Sequence, residues 1–411
     1  MMHNSRLKVW LFFFITALIF LNLITYNGIV ELTPFPAYVI DFTLFVFFVG
    51  LYVKKRIPFP WQNKIFIWLI YYLAVNLLYF IFSEAGTGEF KYLKIVIFYS
   101  FFIIYTSLFF NLDDRQLNLT KKVMVPLGII GSLMLLVDYL NPGIFFKYFI
   151  PSSDYYELGR AAATYMNANI AGGAMVLFLI FTIDVIPKQW RFAYIFILFI
   201  GLFATMSRSN IIIFLLTVFI MFFQKKLNSR HLMVFLTVFI LSFAWLSNGG
   251  LEYLGDKFEF KVTENMVNRV NFFTKNKKSD TSDMQERKMI LKAALEMFEN
   301  KPILGNGFAS TRLWHYRVAP HNTFAVHWAE FGFLGMLIIP LLLYLSSYDI
   351  FRYGTRKQKQ IALLVIIFFT LSCFFSHNML EQQLDVAALV MLSIMGYKSR
   401  KNYLARLQGI V

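Results

Sequence analysis

The residues best suited to chemistry in this chain are arginines and histidines that interrupt or flank long apolar runs. Arg208, in the sequence Thr205-Met-Ser-Arg208, separates apolar runs at residues 192–203 and 211–223. A cation at such a position is costly in a bilayer unless it lies at an interface or faces a polar cavity. We therefore expect Arg208 to have a function.

Two further arginines have the same character. Arg160 opens a polar stretch just before another apolar run, and Arg287 stands at the head of a predicted helix whose apolar stripe begins at Leu291. Arg287 also suits a plain role at the membrane rim, with its stem on apolar surface and its charge in water. Guanidiniums bind phosphate oxygens in pairs through their planar fork, so three of them facing one pocket would suit a lipid diphosphate. We hypothesise that Arg160, Arg208 and Arg287 converge on one such pocket.

His321 is the candidate general base. The asparagine that follows it, Asn322, is explained as the N-cap of the next apolar helix, but helix entry does not require the histidine. A histidine at a membrane boundary can take up a proton near neutral pH, as a general base requires. The polar side chains that we expect to bind substrate around it are Arg160, Asn322, Arg312, Arg317 and His377.

Membrane helices must position these residues. The 411-residue sequence is 58% hydrophobic and 15% charged, a composition unlike that of a soluble protein. Apolar runs long enough to cross a bilayer predict an all-α, polytopic integral membrane protein of about twelve transmembrane helices. The predicted spans begin near Val9, Pro36, Lys64, Tyr92, Val123, Asn167, Arg191, Asn210, His231, Thr323, Ile361 and Leu384.

The distribution of lysine and arginine sets the orientation. Most of the 39 basic residues lie in alternate short loops, which the positive-inside rule assigns to the cytoplasm. Both termini are then cytoplasmic, and Arg208 lies at an outer membrane boundary. We expect one integrated domain. It comprises spans 1–9 (residues 1–247), a long helix-containing periplasmic segment (248–322), and spans 10–12 with a cytoplasmic tail (323–411).

Several classes of function fit the sequence poorly. The net charge of +16 is mostly this topological signal, so it does not indicate nucleic-acid binding. The outer loops have no carboxylate cluster suited to a divalent metal, and the chain has no glycine-rich nucleotide loop. Few acids interrupt the spans, whereas a proton-coupled transporter more often contains a buried relay. We expect catalysis on the outer side without metal, cofactor or ATP.

Four motifs lie between residues 160 and 335. They are Arg160 with Thr164-Tyr-Met-Asn167-Ala-Asn169, Thr205-Met-Ser-Arg208, Glu286-Arg287 with Asn300-Lys-Pro302 and Gly305-Asn-Gly307, and His321-Asn322 with Glu330-Phe-Gly332-Phe-Leu-Gly335. In these motifs and their order the chain resembles the O-antigen ligase and O-antigen polymerase family of bacterial membrane glycosyltransferases. The family often has Asn-Pro-Asn where this chain has Asn167-Ala-Asn169, which leaves the role of these two asparagines open.

The resemblance implies a GT-C-like helical fold in the bacterial inner membrane and a specific reaction. The donor would be an undecaprenyl-diphosphate-linked glycan and the acceptor a lipid A-core or another glycan. Membrane lipids and polysaccharide-assembly proteins would be the further partners. Arg208 and Arg287 would bind the donor diphosphate, and His321 would deprotonate the acceptor hydroxyl. Direct displacement would invert the anomeric carbon.

The alternatives within and outside this family remain open. A ligase moves a finished polymer onto lipid A-core in lipopolysaccharide biosynthesis, whereas a polymerase joins lipid-linked repeat units, and the motifs suit both. We expect a ligase-like transferase, with the polymerase as the alternative. A lipid-linked-sugar flippase or another transporter is the third possibility, and it would tolerate loss of His321.

Overall fold

The computed structural model describes residues 5–30, 36–82, 87–112, 115–146, 159–257, 262–274, 282–316 and 318–408. The regular elements of this part of the chain are all helices. In chain order they are α1 (Ser5–Phe20), α2 (Leu23–Val30), α3 (Ala37–Lys55), α4 (Ile65–Ile81), α5 (Thr87–Asn111), α6 (Gln116–Leu140), α7 (Ala168–Thr182), α8 (Arg191–Ala204), α9 (Arg208–Phe223), α10 (Ser229–Trp245), α11 (Leu251–Lys257), α12 (Glu264–Thr274), α13 (Ser282–Asn300), α14 (Ser310–Leu313), α15 (Thr323–Tyr353), α16 (Arg356–Phe375) and α17 (Gln383–Leu407).

The described helices have the length and surface of membrane helices. Six of them are long and apolar enough to cross a bilayer, and four shorter apolar helices accompany them. On α3, Tyr38, Phe42 and Val53 are each more than half exposed, an arrangement that suits lipid rather than water. The prediction of an all-helical membrane protein is confirmed for the described residues. A helix lies at each of the twelve predicted positions, but the number that cross the bilayer and the GT-C-like arrangement stay predictions.

Two of the predicted spans are interrupted. The first is divided into α1 and α2 at Asn22, whose φ of 56° is left-handed and whose side-chain amide donates to the Thr164 carbonyl at 3.4 Å. The tenth, α15, has a break at Gly332, where φ is 55°. Hydropathy cannot locate such breaks, because the residues on both sides remain apolar.

The chain divides into two compact units, which we call the first unit (Met1–Ala37 and Asn118–Ser279) and the second unit (Tyr38–Leu117 and Asp280–Val411). The first unit is built around α7, which is apolar on all faces and buried along nearly its whole length. It packs against α8 and α9. Gly172 allows the close approach of α9, since a Cβ there would lie 2.8 Å from Nδ2 of Asn210.

The second unit is built around α15. This helix packs against α4, α13, α16 and α17, and the first half of α17, residues 383–396, is buried. The indole Nε1 of Trp68 on α4 donates to the Ile338 carbonyl of α15 at 2.8 Å. This hydrogen bond holds α4 against the part of α15 that follows the break at Gly332.

Candidate functional site

Arg208 is the first residue of α9 and follows a tight buried turn. The preceding helix, α8, ends at Ala204, and the side chains of Thr205, Met206 and Ser207 are all buried. Met206 has a φ of 49°, a left-handed conformation that is costly for a residue with a side chain. Backbone strain of this kind persists only where the surroundings hold it in place. Other parts of the first unit must therefore support the turn that carries Arg208.

Arg160 provides part of that support. Its Nε donates to the Thr205 carbonyl at 3.2 Å, and its Nη2 donates to Oδ1 of Asn169 at 2.9 Å. Oδ1 of Asn169 also accepts a hydrogen bond from the Ser207 hydroxyl at 2.9 Å. The structure thus brings Arg160 to the turn that carries Arg208, and it assigns Asn169 the role of linking the two.

The segment that carries Arg160 is itself fixed by hydrogen bonds. The carboxylate of Asp138 accepts from the backbone amides of Ala162 and Ala163, both at 2.9 Å. The amide of Ala161 donates to the Ala204 carbonyl at 2.9 Å, next to the turn. Asn167 is the N-cap of α7, with its side chain accepting from the Asn169 amide at 2.8 Å. Asn167 is therefore structural, which the sequence had left open.

Arg287 lies on α13 in the second unit. Its side chain is exposed, one turn before the part of the helix that packs. From Ile290 onward α13 turns apolar residues inward, and Ala294 packs against Ala325 and Ala329 of α15. The predicted apolar stripe is therefore the packing face of α13, and Arg287 stands at its accessible end.

His321 and His377 form a pair in the second unit. Their ring centroids are 5.1 Å apart and the rings are nearly perpendicular, at 70°. Asn322 caps α15 as predicted, accepting from the Ala325 amide at 3.0 Å. The hydroxyl of Thr323 donates to the Ser376 carbonyl, which ties the loop carrying His377 to the start of α15. Two histidines predicted separately are thus neighbours.

The surroundings keep His377 in its neutral form. Burial is the main cause that lowers its pKa to about 4, and the His321 ring and the Arg312 guanidinium lower it further. Near neutral pH, His321 therefore has an uncharged imidazole as its neighbour. An uncharged neighbour suits a histidine that takes part in acid–base chemistry.

Arg312 is held by carboxylates. It forms an ion pair with Glu381 and lies over the ring of Tyr92, with its guanidinium carbon 4.8 Å from the centroid. Burial lowers the pKa of Arg312, but Glu381 and Glu330 outweigh burial and raise it above its usual value. The Thr311 hydroxyl donates to Glu330 at 2.6 Å. These contacts favour a role for Arg312 in holding the loop, and its predicted binding of substrate remains a prediction.

The motif at residues 300–307 interlocks with the break in α15. The backbone amides of Asn306 and Gly307 donate to the carbonyls of Ala329 and Glu330 at 2.9 and 3.0 Å. Beyond the break, the amide of Phe333 donates to the carbonyl of Ile303 at 3.2 Å. A break inside a membrane helix leaves backbone groups that must be satisfied by protein. The turn at 303–307 satisfies them.

Glycine is required where the two segments cross. A Cβ on Gly305 would lie 2.4 Å from the Glu330 carbonyl oxygen, and one on Gly332 would lie 2.5 Å from the Ile303 oxygen. Both glycines also have left-handed φ values, 67° and 55°. The motifs Gly305-Asn-Gly307 and Glu330-Phe-Gly332 therefore describe a single structural feature. The Asn306 side-chain amide adds hydrogen bonds to the carbonyls of Met297 and Ala329.

The predicted site residues are divided between the two units. Arg160 and Arg208 belong to the first, whereas Arg287, Arg312, His321, Asn322 and His377 belong to the second. Arg317 lies outside the described residues. The convergence of Arg160, Arg208 and Arg287 stays a prediction. Within the described part of the chain, no group of three or more His, Cys, Asp or Glu side chains is arranged to hold a metal ion.

Comparison with known families supports a broad class of activity. Residues 193–339 match the family model described as O-antigen ligase, and no curated protein matches the chain. The matched segment contains Arg208, Arg287, His321 and the interlocked glycines, whereas Arg160 and His377 lie outside it. The resemblance inferred from the motifs is confirmed, and the match supports ligase- or polymerase-type activity in the synthesis of surface polysaccharide.

Proposed function

We propose that this protein, which carries an O-antigen ligase domain at residues 193–339, is a glycosyltransferase that moves a glycan from undecaprenyl diphosphate onto lipid A-core. The reaction would take place at the outer face of the bacterial inner membrane, with both termini of the chain in the cytoplasm. The observation that carries the proposal is the pairing of His321 with His377 at the capped start of α15. The family match at residues 193–339 includes His321 together with Arg208 and Arg287.

The proposed chemistry is a direct displacement. The acceptor hydroxyl attacks the anomeric carbon of the glycan, and the bond from that carbon to the diphosphate oxygen breaks. His321 takes the hydroxyl proton, and undecaprenyl diphosphate leaves with the bonding electrons. Arg208 and Arg287 bind the diphosphate and stabilise the charge that develops on it, which is commonly the largest contribution to rate. The anomeric configuration is inverted.

Each residue has a feature that suits its part. His321 is half-buried at a helix N-terminus, beside a histidine that stays neutral. Arg208 is the first residue of a helix whose preceding turn accepts a hydrogen bond from Arg160. Arg287 is exposed on α13, where a large lipid-linked substrate could reach it. Arg160, Asn322, Arg317 and His377 would contact substrate around these three.

Reconstitution of the purified full-length protein with defined substrates tests the proposal. With lipid-linked glycan and lipid A-core, we expect transfer that needs both substrates and no added metal. His321→Ala should abolish product while the protein still inserts and keeps its unfolding temperature. If His321→Ala retained transfer, the proposed base would be wrong.

The same assay separates ligase from polymerase. Lipid-linked repeat units supplied alone should give no product if the protein is a ligase. Growth of the lipid-linked chain under those conditions would establish a polymerase instead. Movement of the lipid-linked glycan across the membrane without a new glycosidic bond would establish a transporter.

A further inference from the structure

Helix α12 contacts the turn that carries Arg208 in two places. Nη1 of Arg269 donates to the Met206 carbonyl at 3.1 Å, and the ring of Phe272 lies 5.1 Å from the guanidinium carbon of Arg208. Residues three apart share a helix face, so one face of α12 presents both groups. All of these residues belong to the first unit.

The position of the Arg269 contact matters because Met206 is the strained residue. The turn has its own hydrogen bonds, from the Thr205 hydroxyl to the Leu202 carbonyl and from the Ser207 amide to Thr205 Oγ1. Neither of these bonds involves the Met206 carbonyl. A left-handed φ needs outside support, and a hydrogen bond from a charged donor is about twice as strong as one between neutral groups. Arg269 donates such a bond to the carbonyl of Met206, the residue with the left-handed φ.

The second contact acts on the guanidinium itself. A ring beneath a guanidinium attracts it electrostatically and restricts where its long side chain can point. Phe272 therefore limits the orientations of Arg208, while Arg269 fixes the backbone from which Arg208 extends. Arg160 holds the same turn at the neighbouring carbonyl of Thr205. The turn is thus held at two successive carbonyls, those of Thr205 and Met206, and Phe272 holds the guanidinium of Arg208.

We propose that Arg269 and Phe272 are positioning residues that hold Arg208 in the orientation needed to bind the leaving diphosphate. This inference rests on the proposed function of Arg208. Arg269 acts through the Met206 carbonyl and makes no contact with substrate. Its effect on diphosphate binding depends entirely on the presence of Arg208.

The experiment is a double-mutant cycle on diphosphate binding. The dissociation constant of undecaprenyl diphosphate is measured on full-length protein in nanodiscs, for wild type, Arg208→Ala, Arg269→Ala and the double variant. Arg269→Ala should weaken binding about tenfold, the usual worth of a hydrogen bond from a charged group. In the Arg208→Ala background the same substitution should have no further effect, because there is no guanidinium left to orient.

Two further variants distinguish positioning from direct binding and from misfolding. Arg269→Lys should restore most of the affinity, since a single N–H···O bond to a carbonyl does not need the guanidinium fork. Phe272→Leu keeps an apolar side chain but removes the ring, and it should weaken binding less than Arg269→Ala does. Arg230→Ala, an exposed arginine elsewhere in the first unit, is the matched control for loss of one positive charge. It should match wild type.

The outcomes separate the two proposals. Wild-type affinity in Arg269→Ala, or an equal loss in the Arg208→Ala background, would overturn the role of Arg269 and leave the function intact. Wild-type affinity in Arg208→Ala would instead overturn diphosphate binding by Arg208. If Arg269→Ala lowers the unfolding temperature, Phe272→Leu and Arg269→Lys still test the proposal.

Discussion

Each unit contains a junction at which helical structure is interrupted, and the two junctions are held in different ways. In the first unit, the side chains of Arg160 and Arg269 donate to carbonyls of the turn between α8 and α9. In the second, the backbone amides of Asn306 and Gly307 donate to carbonyls beside the break at Gly332. A side-chain donor is lost when its residue is replaced, whereas a backbone donor remains as long as the two backbone segments can approach each other. Loss of a donor side chain can therefore loosen the first junction, whereas the second depends mainly on the glycines that leave room for the backbone.

The comparison predicts different consequences of mutation. Changes at the first junction should alter activity more than stability, because they move Arg208, the arginine proposed to bind the diphosphate, while the helices remain packed. Changes at the second should alter stability more than activity per folded molecule, because they disrupt the backbone interlock.

Loss of Arg208 should have the largest effect on activity. We expect Arg208→Ala to lower the rate of glycan transfer by about 10²–10³-fold, the usual cost of losing one group that stabilises transition-state charge. Arg208→Lys should recover little, because an ammonium cannot bind two phosphate oxygens in the planar geometry of a guanidinium. The unfolding temperature of both variants should stay near that of wild type. Full activity of Arg208→Lys would disprove paired phosphate binding.

A side chain at Gly305 should have the largest effect on stability. Gly305→Ala introduces a Cβ 2.4 Å from the Glu330 oxygen in a left-handed backbone, so we expect a loss of about 3 kcal/mol or more. Thermal unfolding in detergent measures it. The matched control is Gly50→Ala in α3, where a Cβ meets nothing within 4 Å. Equal unfolding temperatures for the two variants would show that the interlock adds nothing.

Asn169 at the first junction and Asn306 at the second allow the two junctions to be compared through smaller effects. Asn169→Ala removes the acceptor shared by Arg160 and Ser207, so transfer should fall while the unfolding temperature changes little. Asn306→Ala removes donors to the carbonyls of Met297 and Ala329, which should cost about 1–3 kcal/mol of stability. Transfer per folded molecule should then remain close to wild type. The reverse pattern in the two variants would contradict the distinction between the junctions.

The smallest expected effect is a dependence of stability on pH through His377. Its pKa is about 4 in the folded protein against about 6.5 for an ordinary histidine, so the unfolded chain binds more protons between these values. Stability should therefore fall as the pH drops from about 6.5 towards 4. The expected loss is on the order of 1 kcal/mol, since the side chain is half-buried.

Comparison of unfolding at pH 7 and pH 5 measures this loss. His377→Gln should show a smaller loss than wild type, because glutamine does not titrate. His321 and Arg312 face His377 and are present in both proteins. An unchanged loss in His377→Gln would assign the acid sensitivity to another group.

The sequence predicted what depends on local pattern. Apolar runs located the helices, and the spacing before α15 identified Asn322 as its N-cap. The two apolar runs on either side of Arg208 also predicted a boundary there, and Arg208 is the first residue of α9; its function stays a prediction. These features depend on neighbouring residues, so one sequence contains the information.

Features that join distant parts of the chain could not be predicted. Arg312 was predicted to bind substrate, and nothing in the sequence around it indicated its ion pair with Glu381, which lies between α16 and α17. Asn169 was visible only as part of a motif whose role was open, and Arg269 carried no signal, because a polar residue near a turn is ordinary until the turn's carbonyls are located. The interlock of Gly305 with Gly332 was visible only as two separate motifs.

The break in α15 also bears on how the protein is made. Its carbonyls receive hydrogen bonds from Asn306 and Gly307, and Tyr79 of α4 donates to the Phe331 carbonyl at 3.2 Å. All of these donors precede the break in the sequence. The ribosome therefore synthesises these donor residues before α15 emerges. When α15 enters the membrane, hydrogen-bond partners for the carbonyls beside its break are already present. A circular permutation that placed residues 303–307 after α15 would remove that advantage while leaving every final contact possible.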